Sequence, residues 1–482
     1  MYSSALLKNL LAYGKIIIRN KHKPTHWSVQ RKKIHPVDKA LNHFDDFYKQ
    51  VFSYNWPSIR RGLLGKQKYV AVINNYGDVE ETIAKLENQG ALNMRTLFHL
   101  EKGYIQEKYE ENKRVRYLEK IWKMEKQMDN KFQEENNTPE KPDSKQVKEY
   151  SLEASLRNAD IDSSRLVDGD SREMAPILAQ FLPATKIKGK EDWIPESQHY
   201  QYYNKDPNIN VVIEKQHDFH FPEHLNAYCY EQSNYSDFEL PKKGITGVYN
   251  YYLMDGGSVL PILALDLKPG NKVLDMCASP GGKSYLALQT LYPEYLVCND
   301  VSYSRVSRIF KVLEEYLYDL NERWIKPNRL KVTNSDGRSI SENNFDRILV
   351  DVPCTTDRHS VIENENNIFK PGRIKERLQL PELQCALLVQ ALKLVCEGGV
   401  VVYSTCSLSP IQNDGVVYMA LKQVWEETKL EFIVKDLSPA LAQIRSVFKL
   451  ADQNLMKYGN LVIPFVSQNY GPTYFCKLER IK

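Results

Sequence analysis

Two cysteines stand in short polar turns that follow strand-like runs: Cys354 in Asp351-Val-Pro-Cys354, and Cys406 in Thr405-Cys-Ser407. A cysteine taken singly is most often a small core residue. Two that leave one sheet on the same side invite a chemical reading, because a thiol becomes a strong nucleophile once its pKa is lowered or a base stands nearby. Substitution at carbon 5 of cytosine needs such a thiol. That carbon is unreactive until a thiolate adds to carbon 6 and makes carbons 4 to 6 enamine-like; a base then removes the carbon-5 proton and the thiolate is eliminated. Asp351 suits a supporting role, since a carboxylic acid bonded to N3 and the 4-amino group would support negative charge building on the ring. Two cysteines can divide the work, one attacking and one assisting release.

A second constellation reads Cys277-Ala-Ser-Pro-Gly281-Gly282-Lys283-Ser284, between a strand-like run and a helical one. Its glycines let the backbone approach a ligand closely at a helix N-terminus. A phosphate-binding loop would need glycine five positions before Gly282, where Cys277 stands. The dinucleotide pattern G-x-G-x-x-G is absent too. The ligand these patterns leave is a nucleoside without a bound diphosphate, and S-adenosylmethionine fits. Asp300 closes the next strand, where an acid takes a ribose hydroxyl in nucleoside-binding α/β folds, and Arg305 follows within a turn. Asp336-Gly337 ends a third strand, placed to meet an adenine edge, and Asp351 ends a fourth. Any one of these aspartates could be a helix N-cap; their common place at the carboxyl ends of strands favours a ligand.

The elements that must position these residues are short β-branched runs alternating with helical stretches from residue 246 onward. Strands are expected at 272–277, 295–299, 329–334, 346–351, 399–404, 461–466 and 473–478, and helices at 250–265, 283–292, 303–319, 374–396 and 411–427. That alternation predicts an α/β domain over 246–482 with a parallel sheet covered on both faces, its last two strands forming an antiparallel edge hairpin. Residues 38–100 read as mostly helical, with Asp38 as a cap; 101–175 as a charged insertion or linker; and 176–245 as a small subdomain rich in Pro and Tyr.

Residues 1–37 carry eight Lys or Arg and no acid, with leucines on one side of a helical wheel, as a mitochondrial transit peptide does. Removing those eight from 65 basic residues leaves 57 against 61 acids, so the body is not broadly basic despite a net charge of +4. If it binds nucleic acid, it needs a local patch or a partner that supplies charge. The eight cysteines are scattered without C-x-x-C pairs, which suits a reducing compartment, and no His/Cys cluster has zinc-ligand spacing. No apolar run is long enough to span a bilayer, so neither a metal nor a membrane is expected.

Taken together, Cys277 to Lys283, Asp351-x-Pro-Cys354 and Thr405-Cys406-Ser407 resemble three motifs, in order, of the Sun-domain RNA (cytosine-5) methyltransferases. The resemblance covers about 220–482 and implies a Rossmann-like S-adenosylmethionine-dependent methyltransferase fold. It implies Cys406 as nucleophile, Cys354 as the aid to product release, and cofactor contacts from the loop opening at Cys277, with Gly281, Gly282, Lys283, Asp300, Arg305, Asp336, Gly337 and Asp351. The stretches Asp351 to Ser360, Glu365 to Phe369 and Tyr251 to Asp255 are most similar to the family's mitochondrial ribosomal-RNA member. That similarity implies small-subunit ribosomal RNA as substrate, a role in mitoribosome assembly, the mitochondrial matrix as location, and a helical-repeat partner of the mitochondrial transcription termination factor family. The same chemistry on transfer RNA, or a scaffold role in ribosome assembly, are the competing readings. Arg358, His359, Lys370, Arg373, Lys375 and Arg377 are candidates for facing RNA phosphates.

Overall fold

The computed structural model describes residues 35–111, 113, 114, 120 and 211–482. Residues 1–34 of the expected transit peptide, most of the charged segment and residues 176–210 lie outside the described residues.

The chain enters through α1 (Pro36–Phe52), where Ala40, Phe44, Tyr48, Val51 and Phe52 fall on one buried stripe. Pro36 rather than Asp38 marks its start: no side chain caps the helix, and Asp38 lies inside the first turn, complementing the helix dipole. Next come α2 (Trp56–Leu64), β1 (Tyr69–Ile73), α3 (Val79–Asn88), β2 (Leu92–Asn93) and a helix over 94–111. The strand β1 departs from the all-helical expectation, and its run Tyr-Val-Ala-Val-Ile is β-branched enough to explain why.

After residue 211 come β3 (Val212–Lys215), β4 (Ala227–Cys229), β5 (Tyr251–Asp255) and α4 (Val259–Ala264). The helix expected from residue 250 therefore starts nine residues late. Tyr251 to Asp255 instead pair antiparallel with β1 along its whole length, a tertiary partner that local periodicity cannot reveal. The four strands β2-β4-β1-β5 form one sheet that draws on all three segments read as separate in the sequence.

The main sheet is built from β6 (Asn271–Asp275), α5 (Gly282–Gln289), β7 (Pro293–Asn299), α6 (Tyr303–Tyr316), β8 (Leu330–Thr333), β9 (Phe345–Asp351), α7 (Asp357–Ile362), α8 (Ile374–Leu394), β10 (Val395–Thr405), α9 (Asp414–Glu427), β11 (Phe432–Asp436), β12 (Asn460–Val462) and β13 (Thr473–Arg480). Its order is β3-β11-β13-β10-β9-β6-β7-β8. The run from β10 to β8 is parallel. The antiparallel pair β12–β13 forms, and β13 also runs antiparallel between β10 and β11. The strand β11 was not anticipated, because five residues ending in Lys-Asp carry little period-two signal.

Helices on both faces bury this sheet. Along β10, Val401 and Tyr403 enter the core under α8 and α9, while Val400 and Val402 enter the one beneath α4 and α5. Two-sided burial is why its sequence is a continuous apolar run rather than an alternating one. The order reverses between β6 and β9, which opens a crevice at their carboxyl ends.

The helix α2 is held against the 464–472 loop at Gly62. A Cβ there would lie 2.7 Å from the backbone of Pro464. Gly62→Ala is expected to cost about 1–3 kcal/mol through overpacking, read as a lowered midpoint in urea; an unchanged midpoint would mean this contact is slack.

Candidate active site

The loop after β6 turns at Gly281, whose φ of +109° strongly favours glycine and which caps α5. Gly282 faces Tyr252, whose hydroxyl would lie 3.0 Å from an added Cβ. The loop is anchored to β7 by Ala278 N–H donating to the Asn299 carbonyl at 2.8 Å. At the end of β7, the nearly buried Asp300 accepts from Ser302 N–H at 3.1 Å and pairs with Arg305 Nε at 3.2 Å. After β8, Asp336 is gripped by the Arg338 guanidinium at 2.6 Å, and a Cβ at Gly337 would lie 2.7 Å from Leu387 Cδ2 and 2.9 Å from Met276 Cγ, so those side chains would have to shift. Burial pushes the Cys277 thiol well above its ordinary range, and the nearby carboxylates of Asp275, Asp300 and Asp351 add to the shift, so Cys277 stays protonated.

These residues suit an adenosyl ligand. Asp300 offers a carboxylate to ribose hydroxyls, and the bare glycine backbone at the start of α5 offers N–H groups to a carboxylate. Beneath them, burial lifts the Asp275 carboxyl to about 7 even though Ser284 donates to it at 2.6 Å.

Lys283 does not end in the glycine loop. It crosses to the end of β9, where its ammonium meets Asp351 Oδ2 at 2.6 Å, while Ser404 donates to Oδ1 at 2.7 Å. Burial works against the Lys283 charge, but Asp351 and Cys406 on facing strands outweigh it and hold the ammonium protonated. The two sequence-derived cysteines do converge: Cys406 N–H donates to Cys354 Sγ at 3.3 Å, and Thr356 N–H donates to the same sulfur at 3.4 Å. Cys354 is driven far above the ordinary thiol range, first by the hydrogen bond between its side chain and that of Cys406 and then by burial, while the two N–H bonds to its sulfur work the other way. Cys354 therefore keeps its proton. Cys406 lines a cavity of about 570 Å³ together with Gln67, Tyr69, Asp255, His359 and Pro472. A larger cavity, of about 880 Å³, lies between Val51–Asn55 and Arg445–Leu455 and includes none of these chemical groups.

The RNA-facing candidates fare unevenly. Arg358 points inward: it is buried and donates to the carbonyls of Gly471, Gly62 and Gly65 and to Asn469 Oδ1. Its place on the first turn of the short helix α7, under the 464–472 loop, decides this; nothing in the local sequence does. Arg373 is paired with Glu376 at 2.6 Å, and Arg377 stacks on the Phe369 ring at 4.4 Å. Lys375 is exposed, Lys370 half-buried, and His359 Nε2 contacts the Glu365 carbonyl at 3.0 Å. Sequence reasoning missed Tyr48, Thr355, Asp357, Ser407 and Gln412, the polar groups under the two thiol loops. The run Cys354-Thr-Thr-Asp357 was a signal that could have found some of them.

Comparison with known proteins gives the family. The family model described as 16S rRNA methyltransferase RsmB/F matches residues 262–448. The chain is 33% identical over 462 residues to the 5-cytosine rRNA methyltransferase nsun-4 of Caenorhabditis elegans, covering 93% of this chain and 92% of that one. It is 34% identical over 459 residues to the 5-cytosine rRNA methyltransferase NSUN4 of Xenopus laevis, with 95% and 93% covered. The chain belongs to the Sun-domain RNA (cytosine-5) methyltransferases. Similarity also reaches the mitochondrial tRNA (cytosine(34)-C(5))-methyltransferase of Mus musculus, 34% identical over 266 residues, covering 54% of this chain and 72% of that one. The methyltransferase therefore acts on RNA cytosine with S-adenosylmethionine as methyl donor.

The proton held on Cys354 and the place of Cys406 at the cavity give an expected order of alkylation. Iodoacetamide at pH 8 should label Cys406, which lines the cavity, well before Cys354, as read by peptide mass spectrometry. Equal rates would contradict a proton held on Cys354.

Proposed function

We propose that this methyltransferase modifies carbon 5 of cytosine through a covalent adduct on Cys406, and that its substrate is mitochondrial small-subunit ribosomal RNA. The observation that carries the reading is the convergence of Cys406, Cys354 and the Lys283–Asp351 pair where the sheet order reverses, with Cys406 at the cavity. S-adenosylmethionine supplies an electrophilic methyl group on a positively charged sulfur. Gly281 and Gly282, in the loop opened by Cys277, would hold it together with Asp300 and Arg305 after β7 and Asp336 and Gly337 after β8.

Cys406 Sγ adds to carbon 6, and the electron pair of the 5,6 double bond moves into the ring. The Asp351 carboxylate accepts from the 4-amino group and relays a proton from solvent to N3 as that charge builds, and Lys283 keeps the carboxylate oriented. Carbon 5 takes the methyl group, whose former bonding pair stays with the donor sulfur as a neutral thioether, and the carbon-5 proton then goes to a base. The pair left behind re-forms the double bond and expels the Cys406 thiolate. Cys354, hydrogen-bonded to Cys406, assists that release.

The ribosomal substrate is supported by the names of the relatives aligned over most of their length, against about half of this chain for the transfer-RNA enzyme. With Arg358 buried, Arg373 paired with Glu376 and Arg377 laid over the Phe369 ring, His359, Lys370 and Lys375 remain of the phosphate-facing set. The shortage of cations on the body favours a helical-repeat partner, of the mitochondrial transcription termination factor family, that carries basic surface to the ribosomal RNA. Residues 1–37 serve as the transit peptide to the matrix, and the enzyme contributes there to small-subunit assembly.

Two measurements test this. Wild type and Cys406→Ala are incubated with labelled S-adenosylmethionine and mitochondrial RNA from cells lacking the protein. Loss of at least roughly 1,000-fold in 5-methylcytosine is expected for the variant; retained methylation would remove Cys406 from the mechanism, and label confined to transfer RNA would correct the substrate. Residues 1–40 fused to a fluorescent protein should enter mitochondria, and a diffuse cytosolic signal would refute the targeting assignment.

A further inference from the structure

Asp357 has no part in the chemistry assigned to Cys406, Cys354 and Asp351, yet it is wholly buried three residues after Cys354, at the start of α7. Among the described residues no Lys or Arg forms an ion pair with it. Its charge is met by neutral donors instead. Tyr48 O–H donates to Oδ2 at 2.6 Å and Leu408 N–H at 2.7 Å. Thr355 Oγ1 donates to Oδ1 at 2.5 Å, and Ser407 Oγ lies 3.2 and 3.3 Å from the two oxygens. The backbone N–H of Asp357 itself donates to the Cys406 carbonyl at 3.2 Å.

The geometry of these bonds spans both thiol loops. Thr355 is the neighbour of Cys354; Ser407 and Leu408 follow Cys406 directly. Thr355 is held from behind by Gln412, which accepts from its N–H and donates to its hydroxyl, both at 3.1 Å. Tyr48 comes from α1, 309 residues away in sequence. Its ring is wedged among Phe44, Phe52 and Trp56, at 4.9, 5.9 and 5.4 Å between centroids, so its hydroxyl has little freedom to turn elsewhere.

Desolvating a carboxylate without a cation is costly, and an apolar cluster of the same size would hold two loops together with less penalty. What the carboxylate adds is direction: each donor must point at one of two oxygens, which fixes the relative placement of the loops. We infer that Asp357 is a positioning residue that sets the spacing of Cys354 and Cys406, and that Tyr48 of the N-terminal helix completes this setting. The inference rests on the covalent reading proposed above. Cys406 must reach carbon 6 while Cys354 stays within reach of it for release, and a displacement of about 1 Å at such a pair costs up to roughly 100-fold in rate.

Tyr48→Phe removes one donor and keeps the ring; Asp357→Asn keeps the shape and removes the charge. Both are made in the full chain and assayed with RNA and S-adenosylmethionine. Turnover, the Michaelis constants and the amount of covalent RNA–protein adduct at steady state are measured together with the melting temperature. The expected result for Tyr48→Phe is turnover lowered roughly tenfold, both Michaelis constants essentially unchanged, and the ratio of adduct to turnover raised because release is impaired. A merely structural role predicts that adduct and turnover fall in equal proportion with the folded fraction. That outcome, or wild-type values of both, overturns the inference. If Asp357→Asn does not fold, Tyr48→Phe decides alone. Cys406→Ala is run alongside: absence of adduct and product there upholds the covalent reading whatever Tyr48→Phe does, and methylation by it sinks that reading separately.

Discussion

The ion pair between Lys283 and Asp351 joins two loops that would otherwise be independent. Lys283 begins α5, on the nucleoside side of the crevice, and Asp351 ends β9, beside the thiols. They meet because β6 and β9 are parallel neighbours in register, with Asp275 opposite Leu349, so both loops leave the sheet at the same level. The pair is largely withdrawn from water, with 11% and 24% of the two side chains exposed. In that setting a fixed ammonium carries far more weight than it would in solution. Methyl donor and acceptor must approach within bonding distance, and this pair is the bridge between the residues that face each of them.

The same economy governs the rest of the site. Four buried or half-buried carboxylates, Asp275, Asp300, Asp351 and Asp357, lie along the carboxyl ends of the strands and the turns that follow. Each is handled differently: Asp351 by a cation, Asp300 by an arginine and a backbone amide, Asp357 by neutral donors alone, and Asp275 by one hydroxyl and a raised pKa. Charge inside the site is thus graded rather than uniform. Cations that might have faced outward are consumed in holding the architecture. Arg358 is the clearest case, bonding the carbonyls of Gly471 and Gly65 and sharing that of Gly62 with Asn469.

The N-terminal residues are part of this architecture rather than an appendage. The strand β1 is clasped between β4 and β5, α2 supports the loop that Arg358 binds, and α1 packs its aromatic stripe against α7 and Phe369. Residues more than 300 apart in sequence are therefore directly bonded beside the thiols.

The chemistry-bearing residues were legible in the sequence because each sits in a local pattern. A β-branched run followed by a polar turn and a helical stretch places Cys277, Asp300, Asp336, Asp351 and Cys406 at strand ends, whatever the order of the strands. Alternation of such units also determined a parallel sheet, since each crossover returns the chain to the same edge. Partnership was another matter. That Lys283 reaches Asp351, that Arg358 turns inward, that Tyr251 to Asp255 extend instead of coiling, and that β13 lies beside β10 all depend on which distant segment comes alongside. Periodicity reports how a segment divides itself between water and core; it carries no information about which other segment supplies the core. Only the tertiary structure decided that, and with it the bonds from Tyr48 and Ser407 to Asp357 that hold the two thiols in place.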